Sequence, residues 1–571
     1  MPDENPALTS PFPIKVMVPS YGVRAQVVGA TVRVAVGDDG GTGRPWKAVF
    51  IPVVEHGDHL FLFDHAADKK IDSPVLADFD RLAQKKAIAP VDRWYPFDVS
   101  VQKWPQSPYG VLVLLFYFQA KGIGPNEPRP WDHAPATEAT KDDPNWRQAF
   151  LHVAARLKGD PARVLLPAVL RMTLPSAPTN QSRSPGPAPG IISFALASCA
   201  YPGDLLDRSP RFSQTSADGP ADASLMRLAT RLESRGDPAC PRFLVLAGDQ
   251  IYVDATAGMF DPTVVDDAYR NSYQGFFGSR GARAVFNQLP VFMMLDDHEI
   301  ADNWQPESSP DDEKNQKRMQ DGRGAYWKHQ RDAGPPPTAA DPSVLWTCIE
   351  PEGLPIFMAD TRTQRSARSA QSFASSNIVD EPQFEALTTW LLLRKANSRL
   401  SFVVSPSMLL PRPLGMKSEP SSALHCDAWA GYPRSLHRLL AFLCDNEIGN
   451  AVFLSGDEHL SCCARASVTR KGGRGPKIDL LSIHSSALYA PYPFANAVAE
   501  DFACCEAFDF AHPDCPTQQY ECSVTTEFPM LGDGFAVVSV ETLATPGWRL
   551  TVLFDRTQPN TAKNTFIFNQ P

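Results

Sequence analysis

FLVLAGDQIY, residues 243–252, decides the fold. Residues 243–247 form a short, wholly apolar run, the mark of a strand buried on both faces. Gly248 ends the run and Asp249 follows it, with Tyr252 close behind. The same plan recurs along the chain. The strand at 191–197 runs into Ser198-Cys199, and the strand at 291–295 into Asp296-Asp297-His298-Glu299 and then Asp302-Asn303-Trp304. The strand at 355–359 runs into Asp360-Thr361-Arg362, and that at 451–454 into Ser455-Gly456-Asp457-Glu458-His459. Open α/β sheets bind ligands beyond the carboxyl ends of their strands. Clustered carboxylates stay ionised at close range only when cations neutralise them. Five strand ends of this kind imply one shared polynuclear metal centre.

Helices fall between these strands, at 221–235, 282–288, 382–395 and 434–444, with a further strand at 402–405. Alternation of this sort predicts a layered α/β domain. Residues 478–483, 535–540 and 548–554 are strands with few helices between them, which implies a second sheet packed on the first. Toward the amino terminus the rhythm differs. Residues 23–36, 48–54, 59–63 and 111–118 are strand-like, and a helix is expected near 145–157. A Pro-, Ser- and Gly-rich stretch without periodicity follows. The expected organisation is an all-β sandwich-like domain at 1–175, a linker at 176–190 and an α/β domain at 191–571.

The chain has 571 residues, 43% hydrophobic and 21% charged, an ordinary globular composition. Its 54 Lys and Arg against 64 Asp and Glu give a formal charge of −10, and no long basic run is present, so a stable nucleic-acid complex is not expected. No apolar stretch reaches the roughly 18–20 residues of a membrane span. Residues 1–10 lack a basic region and an apolar core, so a cytoplasmic protein is expected, or a periplasmic or secreted one if a leader was removed. Eleven cysteines at irregular spacing do not form a disulfide scaffold, and Cys462–Cys463 and Cys504–Cys505 lack the spacing of a zinc site. A local disulfide among Cys504, Cys505, Cys515 and Cys522 stays open. The oligomeric state is not legible.

Carboxylate, amide and phenol oxygens suit hard ions, whereas a thiol and an imidazole add softer character. The mixture points to two or more unlike metals. Such a pair can activate water and clamp both oxygens of an in-line displacement at phosphorus. The set Ser198-Cys199, GDQIY at 248–252, DDHE at 296–299 with Asn303, DTR at 360–362, DxW at 427–429 and SGDEH at 455–459 resembles the PhoD-like alkaline phosphatases, a branch of the calcineurin-like metallophosphoesterases. The resemblance implies a four-layer α/β/β/α catalytic domain, hydrolysis of phosphomonoesters or phosphodiesters by a metal-bound hydroxide attacking in line, and Fe³⁺ with Ca²⁺, the alternatives being Mn²⁺, Zn²⁺ and Co²⁺. It implies Cys199, Asp249 and Tyr252 as iron ligands, with Asp249 bridging to calcium. Calcium would take Asp296 or Asp297, and Asn303, and Asp457 and His459 would complete the centre. His298 is the expected acid or phosphorus-stabilising group, and Arg362 a further catalytic candidate, unless Asp360 and Arg362 form a structural ion pair. Asp254 and Asp302 are expected behind or outside the ligands, His484 and Tyr489 in a turn near the pocket, and Asp427 and Trp429 in structural roles. Glu458 stands where the family more often has Val. The competing readings are a phosphodiesterase or phospholipase-D-like enzyme on the same scaffold, and a non-catalytic metal-binding adaptor.

Overall fold

The computed structural model describes, before residue 190, mainly the strands within 22–118 and 169–172. From residue 190 onward it describes the chain except 203–219, 235–236, 255–264, 287, 307–312, 332–340, 398, 417–418, 473–474, 491–498, 503, 529–531, 544–546, 557–563 and 571. The helix expected at 145–157 lies outside the described residues, as does the expected linker apart from Gly190. The fold divides into two compact units. One holds residues 1–184 with 229–233 and 277–291, and the other holds 185–228, 234–276 and 292–571.

The described strands before residue 184 are β1 (Gly22–Val28), β2 (Thr31–Asp38), β3 (Trp46–His56), β4 (His59–Asp64), β5 (Lys69–Ile71), β6 (Gln84–Ile88), β7 (Arg93–Ser100), β8 (Gly110–Phe118) and β9 (Val169–Met172). They form two antiparallel sheets. One has the order β1-β2-β7, the other β5-β4-β3-β8-β9 with β6 also pairing β3. An amino-terminal β region is thus present. Val34, Val36, Leu62, Phe63 and Trp94 are buried in it.

The second unit carries β10 (Ile191–Ala197), β11 (Leu244–Leu246), β12 (Val291–Met293), β13 (Thr347–Ile349), β14 (Ile356–Met358), β15 (Ser401–Ser405), β16 (Ala451–Ser455), β17 (Ser461–Arg470), β18 (Lys477–Ser485), β19 (Cys505–His512), β20 (Cys515–Glu527), β21 (Gly534–Thr542), β22 (Trp548–Arg556) and β23 (Thr565–Gln570). Six of these make the sheet β12-β11-β10-β21-β22-β23, and eight make β13-β14-β15-β16-β18-β17-β20-β19. The two sheets pack face to face. Phe194 and Val245 of one meet Phe402, Val404, Leu454 and Ile483 of the other in a single apolar cluster. Phe194 stacks on Phe243 at 4.9 Å and meets Phe402 edge-on at 5.2 Å. Each such fully buried side chain stabilises by roughly 1.5–3 kcal/mol.

Helices cover the outer faces, completing four layers. In the helix Pro433–Asp445, Leu436, Leu439, Leu440 and Leu443 fall on one side and are buried against the eight-stranded sheet. The helix Glu381–Ala396 begins at Asp380, whose carboxylate accepts the Gln383 N–H at 3.0 Å, and it buries Phe384, Leu387 and Leu391. Near the six-stranded sheet, the helix Pro220–Glu233 is tied by Arg227 to Asp555 at 2.9 Å and by Ser224 to the Leu488 carbonyl at 2.6 Å. Two features were not foreseen: the long hairpin β19–β20, and the helix Val265–Gly278. Residues 313–326 form the helix Glu313–Tyr326. The described cysteines are free thiols, so the local disulfide is absent from the described residues. No described helix is long and apolar enough to cross a membrane.

Candidate metal centre

The parallel strands β10 and β11 leave their loops side by side. The Cys199 N–H donates to the Gly248 carbonyl at 3.2 Å, and the Ala200 N–H to the Asp249 carbonyl at 2.8 Å. Gly248 has φ +102°, and a Cβ there would stand 2.4 Å from the Asp296 Cβ. A Cβ on Gly456 would stand 2.4 Å from the Ser198 Cβ. Both glycines are therefore required for the loops to approach one another. Cys199 (φ 55°), Asp249 (57°), Asn303 (51°) and Asp457 (81°) are all left-handed without being glycine. Each such residue costs of order 1–3 kcal/mol, so the surrounding structure must impose it.

One carboxylate oxygen from each of Asp249, Asp296, Asp297 and Asp457 lies within 4.8 Å of the other three. Asp296 Oδ2 is buried and accepts no hydrogen bond. Burial, then the charges of Cys199, Asp297 and Asp296, push the Asp249 carboxyl well above its ordinary range. Burial raises Asp296 to about 7, Arg362 opposing and Asp297 adding to the rise. Buried carboxylates with an orphaned oxygen fit a cation between them.

The Cys199 thiol is 3.3 Å from Asp249 Oδ2 and 3.4 Å from the Asp457 carbonyl, and it accepts a hydrogen bond from Ser486 at 3.0 Å. Burial pushes it up to about 12, so only a bound cation would keep it as a thiolate at neutral pH. Tyr252 Oη is 3.3 Å from His459 Nε2, and the Tyr252 ring lies 4.0 Å from the His298 ring. Asn303 sits at the exposed rim. Its N–H donates to Asp297 Oδ2 at 2.6 Å, while its side-chain amide turns to Asp302.

His298 is buried, with Nδ1 2.8 Å from Asp254 and Nε2 3.8 Å from Asp302. Burial works against its protonation, but Asp297 and Asp254 outweigh it and raise the imidazole to about 9. Asp254 is thus the partner that orients His298.

Arg362 is fully buried among carboxylates. It binds Asp296 and Asp427, and lies 3.3 Å from Asp297 and 3.2 Å from Asp457. It does not pair with the Asp360 side chain as an ion pair. Asp360 instead caps the turn, accepting the N–H groups of Arg362 at 3.0 Å and Thr363 at 2.9 Å. Trp429 is a core residue whose indole donates to Ser405. Asp427 belongs to the acidic cluster through Arg362 and Arg365, which hold its carboxyl below the usual range against the effect of burial. His484 fastens the SGDEH loop, with Nδ1 2.9 Å from Ser455 Oγ and Nε2 2.7 Å from the Glu458 carbonyl. The Glu458 side chain is half-buried, and burial, then Asp427 and Asp297, raise it to about 7.

Residues 227–494 match the sequence profile of the PhoD-like phosphatases. That segment is a PhoD-like phosphatase domain. It is a hydrolase of phosphoric esters. The solved structure of PhoD superposes on it with a TM-score of 0.57 at 14% identity, covering 98% of this chain and 91% of that one, which shows a shared fold. A purple acid phosphatase from yellow lupin (Lupinus luteus) seeds also matches, with a TM-score of 0.46 at 8% identity over 96% of this chain and 74% of that one. No curated protein matches the chain in sequence.

Proposed function

We propose that this phosphatase hydrolyses small phosphomonoesters or phosphodiesters at a centre of Fe³⁺ and Ca²⁺ held by Cys199, Asp249, Tyr252, Asp296, Asp297, Asn303, Asp457 and His459. The observation that carries the reading is the convergence of four carboxylates from three strand ends, three of them buried and Asp457 half-buried, one oxygen of Asp296 being left without a hydrogen bond. The donor set divides by chemistry. Thiol, phenol and imidazole stand together in Cys199, Tyr252 and His459, which suits iron. Asp296, Asp297 and Asn303 offer oxygen alone, which suits calcium. Asp249 turns Oδ2 toward Cys199, accepts the His298 N–H through Oδ1 at 3.3 Å, and has a carboxylate oxygen within 4.8 Å of those of Asp296 and Asp297, so it would be the ligand the two sets share.

Bound cations supply positive charge for phosphoryl oxygens and lower the pKa of a coordinated water. The chain's residues do the rest. His298 is oriented through Nδ1 by Asp254, so that Nε2 would donate a proton to the departing ester oxygen. Arg362 neutralises the cluster from within and, being fully buried, does so without touching substrate.

The protein supplied with Fe³⁺ and Ca²⁺ is expected to release p-nitrophenol from p-nitrophenyl phosphate, bis-p-nitrophenyl phosphate or both. The ratio of the two rates assigns monoester or diester preference. Absence of turnover on both would contradict the proposal.

A further inference from the structure

Glu299 is fully buried, and neither the metal set nor the proton-transfer role uses it. Its carboxylate is nonetheless the most heavily engaged acceptor near the centre. Oε2 accepts the Asp249 N–H at 3.1 Å and the Asp296 N–H at 2.9 Å. Oε1 accepts the Gln250 N–H at 2.9 Å and the Gln330 side-chain amide at 3.1 Å. Asp249 and Asp296 leave different strands, so one carboxylate spans the two loops that deliver two of the clustered oxygens. The platform beneath it is also fixed. The Glu299 carbonyl accepts from Tyr269 Oη at 3.0 Å, and a Cβ on Gly322 would come within 2.6 Å of that carbonyl.

Backbone N–H groups cannot change partner by rotating, so the three backbone donors set where the carboxylate must be, and it in turn sets their spacing. The bond to the Asp249 N–H also helps to hold that residue in its left-handed conformation. We infer that Glu299 is a positioning residue whose carboxylate fixes the separation of the Asp249 and Asp296 loops and thereby prepares the cation site. The inference rests on the metal reading proposed above.

The isosteric change Glu299→Gln tests it, because an amide cannot reproduce four accepted bonds. With its NH₂ at the Oε2 position, the Asp249 and Asp296 N–H groups are both unpaired. With NH₂ at the Oε1 position, the Gln250 N–H is unpaired. Two readouts are taken. Mn²⁺ is titrated into metal-stripped protein with free ion followed by electron paramagnetic resonance. Hydrogen exchange is measured by mass spectrometry on peptides spanning 245–252 and 293–300. Outer partners of metal sites typically contribute 10–100-fold in affinity, so Glu299→Gln is expected to weaken Mn²⁺ binding by roughly that factor. Exchange should accelerate in the two peptides and not elsewhere. Unchanged Mn²⁺ affinity would overturn the inference, as would acceleration spread evenly over the unit, the mark of a merely structural role. Should the variant not fold, the wild-type amides of Asp249, Gln250 and Asp296 decide: slow exchange in metal-free protein supports the tie, and fast exchange refutes it. Wild-type protein that binds no Mn²⁺ refutes the metal reading instead, while the exchange data still judge the tie.

Discussion

The eight-stranded sheet treats buried charge in two opposite ways. At the carboxyl end of β16, Asp457 joins Asp249, Asp296 and Asp297 on a left-handed backbone, with one carboxylate oxygen unpartnered and a thiol held neutral by burial. At the edge of the same sheet, β19 and β20 pack on the helix Pro433–Asp445, and charge there is paired. Arg412 grips Glu506 through two bonds, at 2.6 and 3.2 Å, and lies 3.5 Å over the Phe508 ring. Phe510 stacks on Tyr520 at 5.2 Å and on His437 at 4.9 Å, and Tyr520 donates to Asp445 at 2.7 Å. None of the described non-glycine residues of this hairpin is left-handed. Both regions rest on the same scaffold. The difference shows where strain and like-charge repulsion are concentrated: at the strand ends, where a cation would relieve them, and not in the edge that holds the sheet together.

Substitutions in the two regions should therefore have effects of opposite kind. Asp249→Asn removes a charge from the crowded cluster. Turnover should fall on the order of a hundred- to a thousand-fold or more, the scale of losing one charge-stabilising group, while the metal-free protein should melt at a higher temperature than wild type. Full turnover, or a lower melting temperature without metal, would break the comparison. Phe510→Ala should do the reverse. It opens a cavity in a well-packed stack and should cost about 3–5 kcal/mol of stability, read by denaturant unfolding, with kcat unchanged below the transition. A large loss of kcat would show that the edge is coupled to the centre.

The smallest effect concerns pH. Burial, with the Arg412 charge adding to it, lowers His437 to about 4, below its ordinary value near 6.5. The unfolded chain binds more protons between these values, so this histidine's contribution is complete above 6.5 and shrinks as pH falls toward 4. His437→Phe should flatten the dependence of melting temperature on pH across that window by a few degrees. An unchanged slope would show that His437 is not the group that titrates there.

Much of the cluster was legible because its carboxylates follow apolar strands, and that order survives in one dimension. Asp249, Asp296, Asp297 and Asp457 could be found from their place after 243–247, 291–295 and 451–454. Residues whose job is to accept a backbone N–H leave no such trace. Glu299 looked like the tail of a motif, Asp254 like an outer carboxylate, and Asp360 like an ion-pair partner, because the donors they serve are peptide groups or distant rings. Asp427 was read as structural because its link to the cluster runs through Arg362, which no spacing reveals. The hairpin β19–β20 was hidden because its cysteines drew attention to pairing, whereas Tyr520, Cys522 and Val524 alternate inward in an ordinary strand pattern.

The central claim is that these strand ends hold cations. Its most direct test is elemental analysis by inductively coupled plasma mass spectrometry, on protein supplied with Fe³⁺ and Ca²⁺ and then dialysed, with Asp249→Asn in parallel. The account predicts at least two metal atoms per wild-type chain, iron among them, and a clear deficit in the variant. Wild-type protein that retains no metal, or a variant that retains the same amount, would contradict it.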